Sequence, residues 1–141
     1  MDPKYARAYS LLASTHRVAW LNPLNDEHLS PSALDQAISL ARTAIELDPH
    51  LPEAYAELGY NIIRKRDFDA AAAAAERAIA LNPNFADYRV AQVFYSVGQP
   101  PKAIEIAKTQ MRLDPLYGVF LVKKFMQSGT SFFIRQFLCS I

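Results

Sequence analysis

One short pattern punctuates the chain: a leucine, then Asp or Asn, then proline. It occurs as Leu47-Asp48-Pro49, Leu81-Asn82-Pro83 and Leu113-Asp114-Pro115, with a truncated copy, Asp2-Pro3, at the start. Proline has no N–H and pushes the residue before it away from helical geometry, so each copy reads as a helix stop. Pro49 and Pro83 are 34 residues apart and Pro83 and Pro115 are 32 apart, while Pro3 and Pro49 are separated by 46, one period with twelve residues added. A stop returning at a nearly fixed interval means one structural unit built repeatedly, and that constrains the fold more than any local motif.

Between the stops, apolar residues fall at helical spacings of three and four. Tyr55, Leu58, Ile62 and Ile63 form one stripe, and Ala75, Ala78, Ile79 and Ala80 another. No segment alternates as a strand does. The pattern predicts α-helices over 4–20, 31–47, 52–65, 68–81, 85–97 and 100–113. Ser30-Pro31 offers a capping hydroxyl before a first-position proline, and Asp67 offers a cap for the helix starting at Phe68. The alanine run over 70–75 is strong helix propensity and close packing rather than low complexity.

Charge and composition exclude several classes. At 51% hydrophobic and 21% charged, the 141 residues read as a globular chain. A net charge of +1 leaves no electrostatic footprint for nucleic acid or an anionic membrane, so neither is expected as a partner. A lone cysteine, Cys139, forms no intramolecular disulfide and suits a reducing, cytoplasmic setting. Its apolar neighbours point to a buried thiol. The first residues, MDPKYARAYS, lack the apolar core of a secretory signal, and no apolar run reaches the length of a membrane span.

The chemistry-bearing residues do not assemble into a reaction centre. His28 and His50 fall in loops without the cysteine or carboxylate spacing of a metal site. Asp67 and Asp69 sit at a helix start, where the helix dipole favours carboxylates. Phosphate-cradling and nucleophile-elbow motifs are missing, and four glycines are too few for a phosphate loop. No catalysis, cofactor or metal is expected.

With two helices per 34-residue period, the chain resembles the tetratricopeptide repeat (TPR) family, whose signature is W-x2-L-G-x2-Y, then A-x3-F, then P. The middle unit carries it as Tyr55, Leu58, Gly59, Ile62, Ala71, Ala75 and Pro83. The third carries Asp87, Val90, Ala91, Phe94, Ala103, Ala107 and Pro115, with an acid where the family favours a large aromatic. The first carries Tyr9, Leu12, Ala13 and His16, then Ala37, Ala41 and Pro49 after the extra residues; on this register His16 falls at a core position. The resemblance implies an all-α, right-handed superhelix of antiparallel helix pairs: repeats over 4–49, 50–83 and 84–115 within a unit 1–115, then a C-terminal helical segment, 116–141.

Both ends depart from this frame. The truncated stop at Asp2-Pro3 suggests a piece of a longer protein. In the insertion over 19–32, Trp20, Leu21 and Leu24 are expected to fold over the open edge as a local cap. At the other end, helices are expected over 117–127 and 131–139. Phe132, Phe133, Ile134, Phe137 and Leu138 surround the second with apolar positions, making a homodimer through 117–141 the alternative function: a structural self-association module.

In the TPR family the first helices of the repeats line a concave groove that binds peptides or protein segments. Carried onto this register, the groove would present Arg7, Ser10, Ser14 and Arg17, then Glu53, Glu57, Tyr60 and Arg64, then Phe85, Tyr88, Arg89, Gln92 and Tyr95. Arginine and tyrosine are the residue types that dominate binding energy at interfaces. The chaperone-tail clamp of some family members maps onto Ser10, Ser14, Glu57, Phe85 and Arg89; only Arg89 matches, and Glu57 is expected to repel a terminal carboxylate. The phrases ARTAIELDPHLPEAYAELGY and RAIALNPNFADYRVAQVFYSVGQPPKAIE are also similar to C-terminal TPR regions of bacterial proteins that carry a class III adenylate or guanylate cyclase domain, or a winged-helix domain. The expectation is a non-catalytic, cytoplasmic protein–protein interaction module within a bacterial signalling protein.

Overall fold

Each proline-bearing stop works through one local device. Asp48, Asn82 and Asp114 leave their helices in extended conformation, at φ −142°, −148° and −137°. Their N–H groups still donate to the carbonyls four residues back, on Ala44, Ala78 and Gln110. Their side-chain Oδ1 atoms accept from the N–H two residues on, from His50 at 3.0 Å, Asn84 at 3.0 Å and Leu116 at 3.1 Å. This is an Asx turn, in which a short polar side chain stands in for a backbone carbonyl. Leu21-Asn22-Pro23 uses it too, with the Leu24 N–H donating to Asn22 Oδ1 at 3.0 Å. That copy ends the first helix of its pair, off the 34-residue period, so period counting misses it.

The computed structural model describes residues 3–116. They form α1 (Pro3–Leu21), α2 (Pro31–Leu47), α3 (Pro52–Arg64), α4 (Phe68–Leu81), α5 (Tyr88–Ser96) and α6 (Pro100–Leu113), with no strand among the described residues. The expected helices over 117–127 and 131–139, Cys139 and the dimerisation segment lie outside the described residues. α1 packs on α2, α3 on α4 and α5 on α6, and the first helices also touch in the row α1–α3–α5.

Two helix starts differ from expectation. α5 begins at Tyr88 rather than near 85, because Asp87 is extended and its carboxylate accepts the Arg89 N–H at 2.8 Å. An acid replaces the family's aromatic because this position caps the helix. Ser30 caps nothing; its hydroxyl pairs with that of Ser32 at 2.8 Å, and Pro31 alone marks the start of α2. Asp67 caps α4 as expected, accepting from the Ala70 N–H at 3.2 Å.

Small residues let the helices approach. Ala37 and Ala41, Ala71 and Ala75, and Ala103 and Ala107 are all buried, one pair on each second helix. A Cβ on Gly59 would lie 3.2 Å from the Ala71 carbonyl oxygen and 3.4 Å from the Ala74 Cβ, so α3 meets α4 nearly backbone to backbone. The main core runs from Leu34 and Ile38 through Ile62 and Ile63 to Val90, Phe94 and Ile106. Trp20 packs against its edge, held where the Leu29 N–H donates to the Trp20 carbonyl at 3.0 Å. Leu24, by contrast, is 95% exposed, so the insertion covers the edge through Trp20 and not through Leu24. His16 does not enter the core: its side chain is 25% exposed, with Nδ1 3.9 Å from a Glu27 oxygen.

The turns inside the second and third pairs both need a left-handed residue after the helix. Gly98 provides it at φ 81°, and Arg66 occupies the equivalent place at φ 63°. A side chain is strained there and glycine is not. Gly98→Ala should destabilise the protein by about 1 kcal/mol from backbone strain alone, since a Cβ at Gly98 meets nothing within 4 Å. Arg66→Gly should stabilise it by about 0.5–1 kcal/mol, relief of strain outweighing the added freedom of the unfolded chain. Urea denaturation of the two variants checks both signs.

Candidate functional site

The row α1–α3–α5 is joined at its centre by charge. Glu57, on α3, is 0% exposed, and a buried carboxylate is tolerated only when paired and hydrogen-bonded. Arg17 reaches it from α1, Nε donating to Oε1 at 2.7 Å, and Arg89 reaches it from α5, one terminal nitrogen donating to Oε2 at 2.5 Å. Asn61 Nδ2 donates to the same Oε1 at 3.1 Å. Arg89 also holds Asp87 through two bonds, at 2.9 and 2.7 Å. Burial alone would lower the Arg89 pKa, but Asp87 and Glu57 outweigh it, and the guanidinium is held charged well above its ordinary range.

Tyr60 lies beside this cluster, buried, with the guanidinium carbons of Arg17 and Arg64 at 5.3 and 4.9 Å from its ring centroid. Arg64 also donates to the Tyr60 hydroxyl at 2.8 Å. Tyr88 meets the ring edge-on, centroids 6.0 Å apart, and burial raises the Tyr88 pKa against the opposing charge of Arg17. These contacts fix Tyr60 between the first and third helices of the row.

Towards the N-terminal end of the row a cavity of about 200 Å³ opens between α1, α3 and the start of α5. Arg7, Ser10, Leu11 and Ser14 line it from α1, Glu53 from α3 and Arg89 from α5. A second, larger hollow of about 500 Å³ shares the Arg7 and Glu53 walls. Glu53 Oε2 is shut off from solvent without a hydrogen-bond donor among the described residues, a condition that costs about 1–3 kcal/mol for a buried acceptor. Among the described residues, no three His, Cys, Asp or Glu side chains converge as a metal site.

No family model and no curated protein matches the chain. Among solved structures, the first TPR of Spaghetti (RPAP3), bound to the HSP90 peptide SRMEEVD, covers 93% of this chain and 100% of its own, with a TM-score of 0.63 and 17% identity. That is a likeness of fold. The crystal structure of MamA is 31% identical, covering 78% of this chain and 67% of its own, with a TM-score of 0.50. The chain is a tetratricopeptide-repeat protein.

The TPR frame shows how the expected groove residues divide. Arg17, Glu57 and Tyr60 are buried and Arg89 nearly so, tying neighbouring first helices together rather than standing open to a partner. Ser14 is half-buried and accepts from Arg17 at 2.7 Å. Arg7 and Arg64 are exposed, while Tyr88, Gln92 and Tyr95 are half-buried along α5. Phe85 precedes α5 and packs on the core. The chaperone clamp also needs a different argument. Glu57 is enclosed between two guanidiniums and does not act as an open repelling charge, whereas Arg89, the single matching residue, is already bound to Glu57 and Asp87. Leu11 is the lining residue that the repeat register did not suggest, because the cavity forms between helices far apart in sequence.

Proposed function

We propose that this TPR chain binds an extended peptide or protein segment along the row of first helices. The observation that carries the reading is the cavity between α1, α3 and α5, where three repeats contribute polar walls to one opening and Glu53 Oε2 lies buried without a hydrogen-bond partner among the described residues. The RPAP3 structure, with its bound peptide, supports it by analogy of fold. The finer reading, a cytoplasmic regulatory segment of a bacterial signalling protein of the cyclase or winged-helix kind, rests on the sequence resemblance. No helix of the described residues is long and apolar enough to cross a membrane.

The test is selection of a displayed random-peptide library on the full chain, then affinities by fluorescence anisotropy. Arg7→Glu and Gln92→Ala should each weaken selected peptides at least about tenfold, the scale of a lost interface contact, with an unchanged melting curve. Arg89→Glu is unsuitable, because it would break the buried cluster. Absence of selected peptides, or affinities indifferent to both variants, rejects the groove.

A second reading, self-association, is favoured by one observation. Tyr9 and Leu12 match Tyr55 and Leu58, which pack on the core, yet both are exposed on α1, along with Tyr5, Leu11 and Val18. A monomer mass by light scattering at high micromolar concentration removes it.

A further inference from the structure

Two charged side chains at the cavity, Arg7 and Glu53, are not equivalent. The Arg7 side chain is exposed, so its charge is already hydrated and gains little from a partner. Glu53 has one carboxylate oxygen withdrawn from water and without a hydrogen-bond partner among the described residues. Its place in the first turn of α3 gives the charge some support from the helix dipole, but no donor among the described residues reaches Oε2. Arg89, which lines the same cavity from α5, cannot serve, since its guanidinium is bound to Glu57 and Asp87. A ligand therefore gains most by bringing a charged donor to Glu53.

We propose that this cavity is a subsite for one basic side chain, lysine or arginine, of the bound segment. Its cationic end pairs with the Glu53 carboxylate, and the Ser10 hydroxyl on the cavity wall is on hand as a further acceptor. Leu11 supplies an apolar wall for the aliphatic stem, which long basic side chains lay along such surfaces. A volume of about 200 Å³ suits one long side chain and not a folded element. The subsite rests on the groove reading above and adds the chemistry of what the groove selects.

The probes are peptides selected from the displayed library on the full chain. They should share a basic residue at one position. Changing that lysine to norleucine, which keeps the four-carbon stem and removes the ammonium group, should weaken binding to the wild-type chain at least about tenfold. Glu53→Gln should weaken the lysine peptide by a similar factor and leave the norleucine peptide unaffected, while the variant melts no earlier than the wild type. Glu53→Asp should restore part of the loss. Were Glu53→Gln not to fold, the lysine-to-norleucine comparison on the wild-type chain still reads the contact. Selected peptides without a basic position, or acidic peptides whose binding depends on Arg7, overturn the subsite and leave the groove standing. A lysine effect that persists unchanged in Glu53→Gln also overturns it. No selected peptides at all overturns both.

Discussion

Replacing Glu57 with alanine is expected to lower the unfolding free energy by about 3–5 kcal/mol, because it strands two buried guanidiniums that now share one carboxylate. Arg17 and Glu57 are 7% and 0% exposed as side chains and Arg89 is 14% exposed, so water cannot replace the lost partner at low cost. Asp87 still holds Arg89 in the variant, which makes Arg17 the more damaged of the two. Glu57→Gln keeps the shape but turns amide hydrogens towards arginine donors, and should cost nearly as much. A triple change to apolar residues, Glu57→Leu with Arg17→Met and Arg89→Met, should recover most of the loss, since well-packed apolar groups often match a buried ion pair. Urea denaturation followed by circular dichroism measures the series. A loss below about 1 kcal/mol for Glu57→Ala would mean that the cluster is solvated like a surface pair.

The second large effect is expected at Phe94, the largest wholly enclosed side chain among the described residues. It lies on α5 among Val90, Ile62 and Ile106 in the main core cluster, with Lys102 Nζ 5.0 Å from its ring centroid. Phe94→Ala should destabilise the protein by about 3–5 kcal/mol, combining lost burial with the cavity left behind. Phe94→Leu, which retains most of the volume, should cost well under half as much. Similar losses for both would show that ring shape, rather than volume, is what the site requires. Because Phe94 and Glu57 sit in separate clusters, one apolar and one ionic, their losses should be close to additive.

The parts of this structure visible in the sequence were those encoded locally or by period. The stops, the helix pairs and the alanines between helices follow from residues within one unit, and the close contact at Gly59 is implied by a glycine at the family's small position. Glu57 shows where that ends. On a helical wheel it reads as a groove charge open to a partner, yet its burial depends on Arg17, 40 residues earlier, and Arg89, 32 residues later. No pattern within one repeat announces that a charge will be matched from both neighbours. The late start of α5 has a different cause: Asp87 holds an aromatic's place in the register, but its side chain acts on the backbone as a cap. His16 failed for a third reason. Its counterpart one repeat on, Ile62, shares a cavity wall with Asp35, Ile38 and Ser39 of the preceding helix α2, whereas no helix precedes α1 among the described residues.

The corners of the stack have a kinetic consequence. Each Asx turn closes between residues two apart and each helix cap between residues four apart, so a corner needs no contact with the rest of the chain to take shape. Local closures of this kind form fast, and folds dominated by them reach the native state early compared with those that must search for distant partners. The slow event should then be the docking of one finished hairpin on the next, and the distant ion contacts of Glu57 would tighten only after that docking, as a latch closing behind the assembled row.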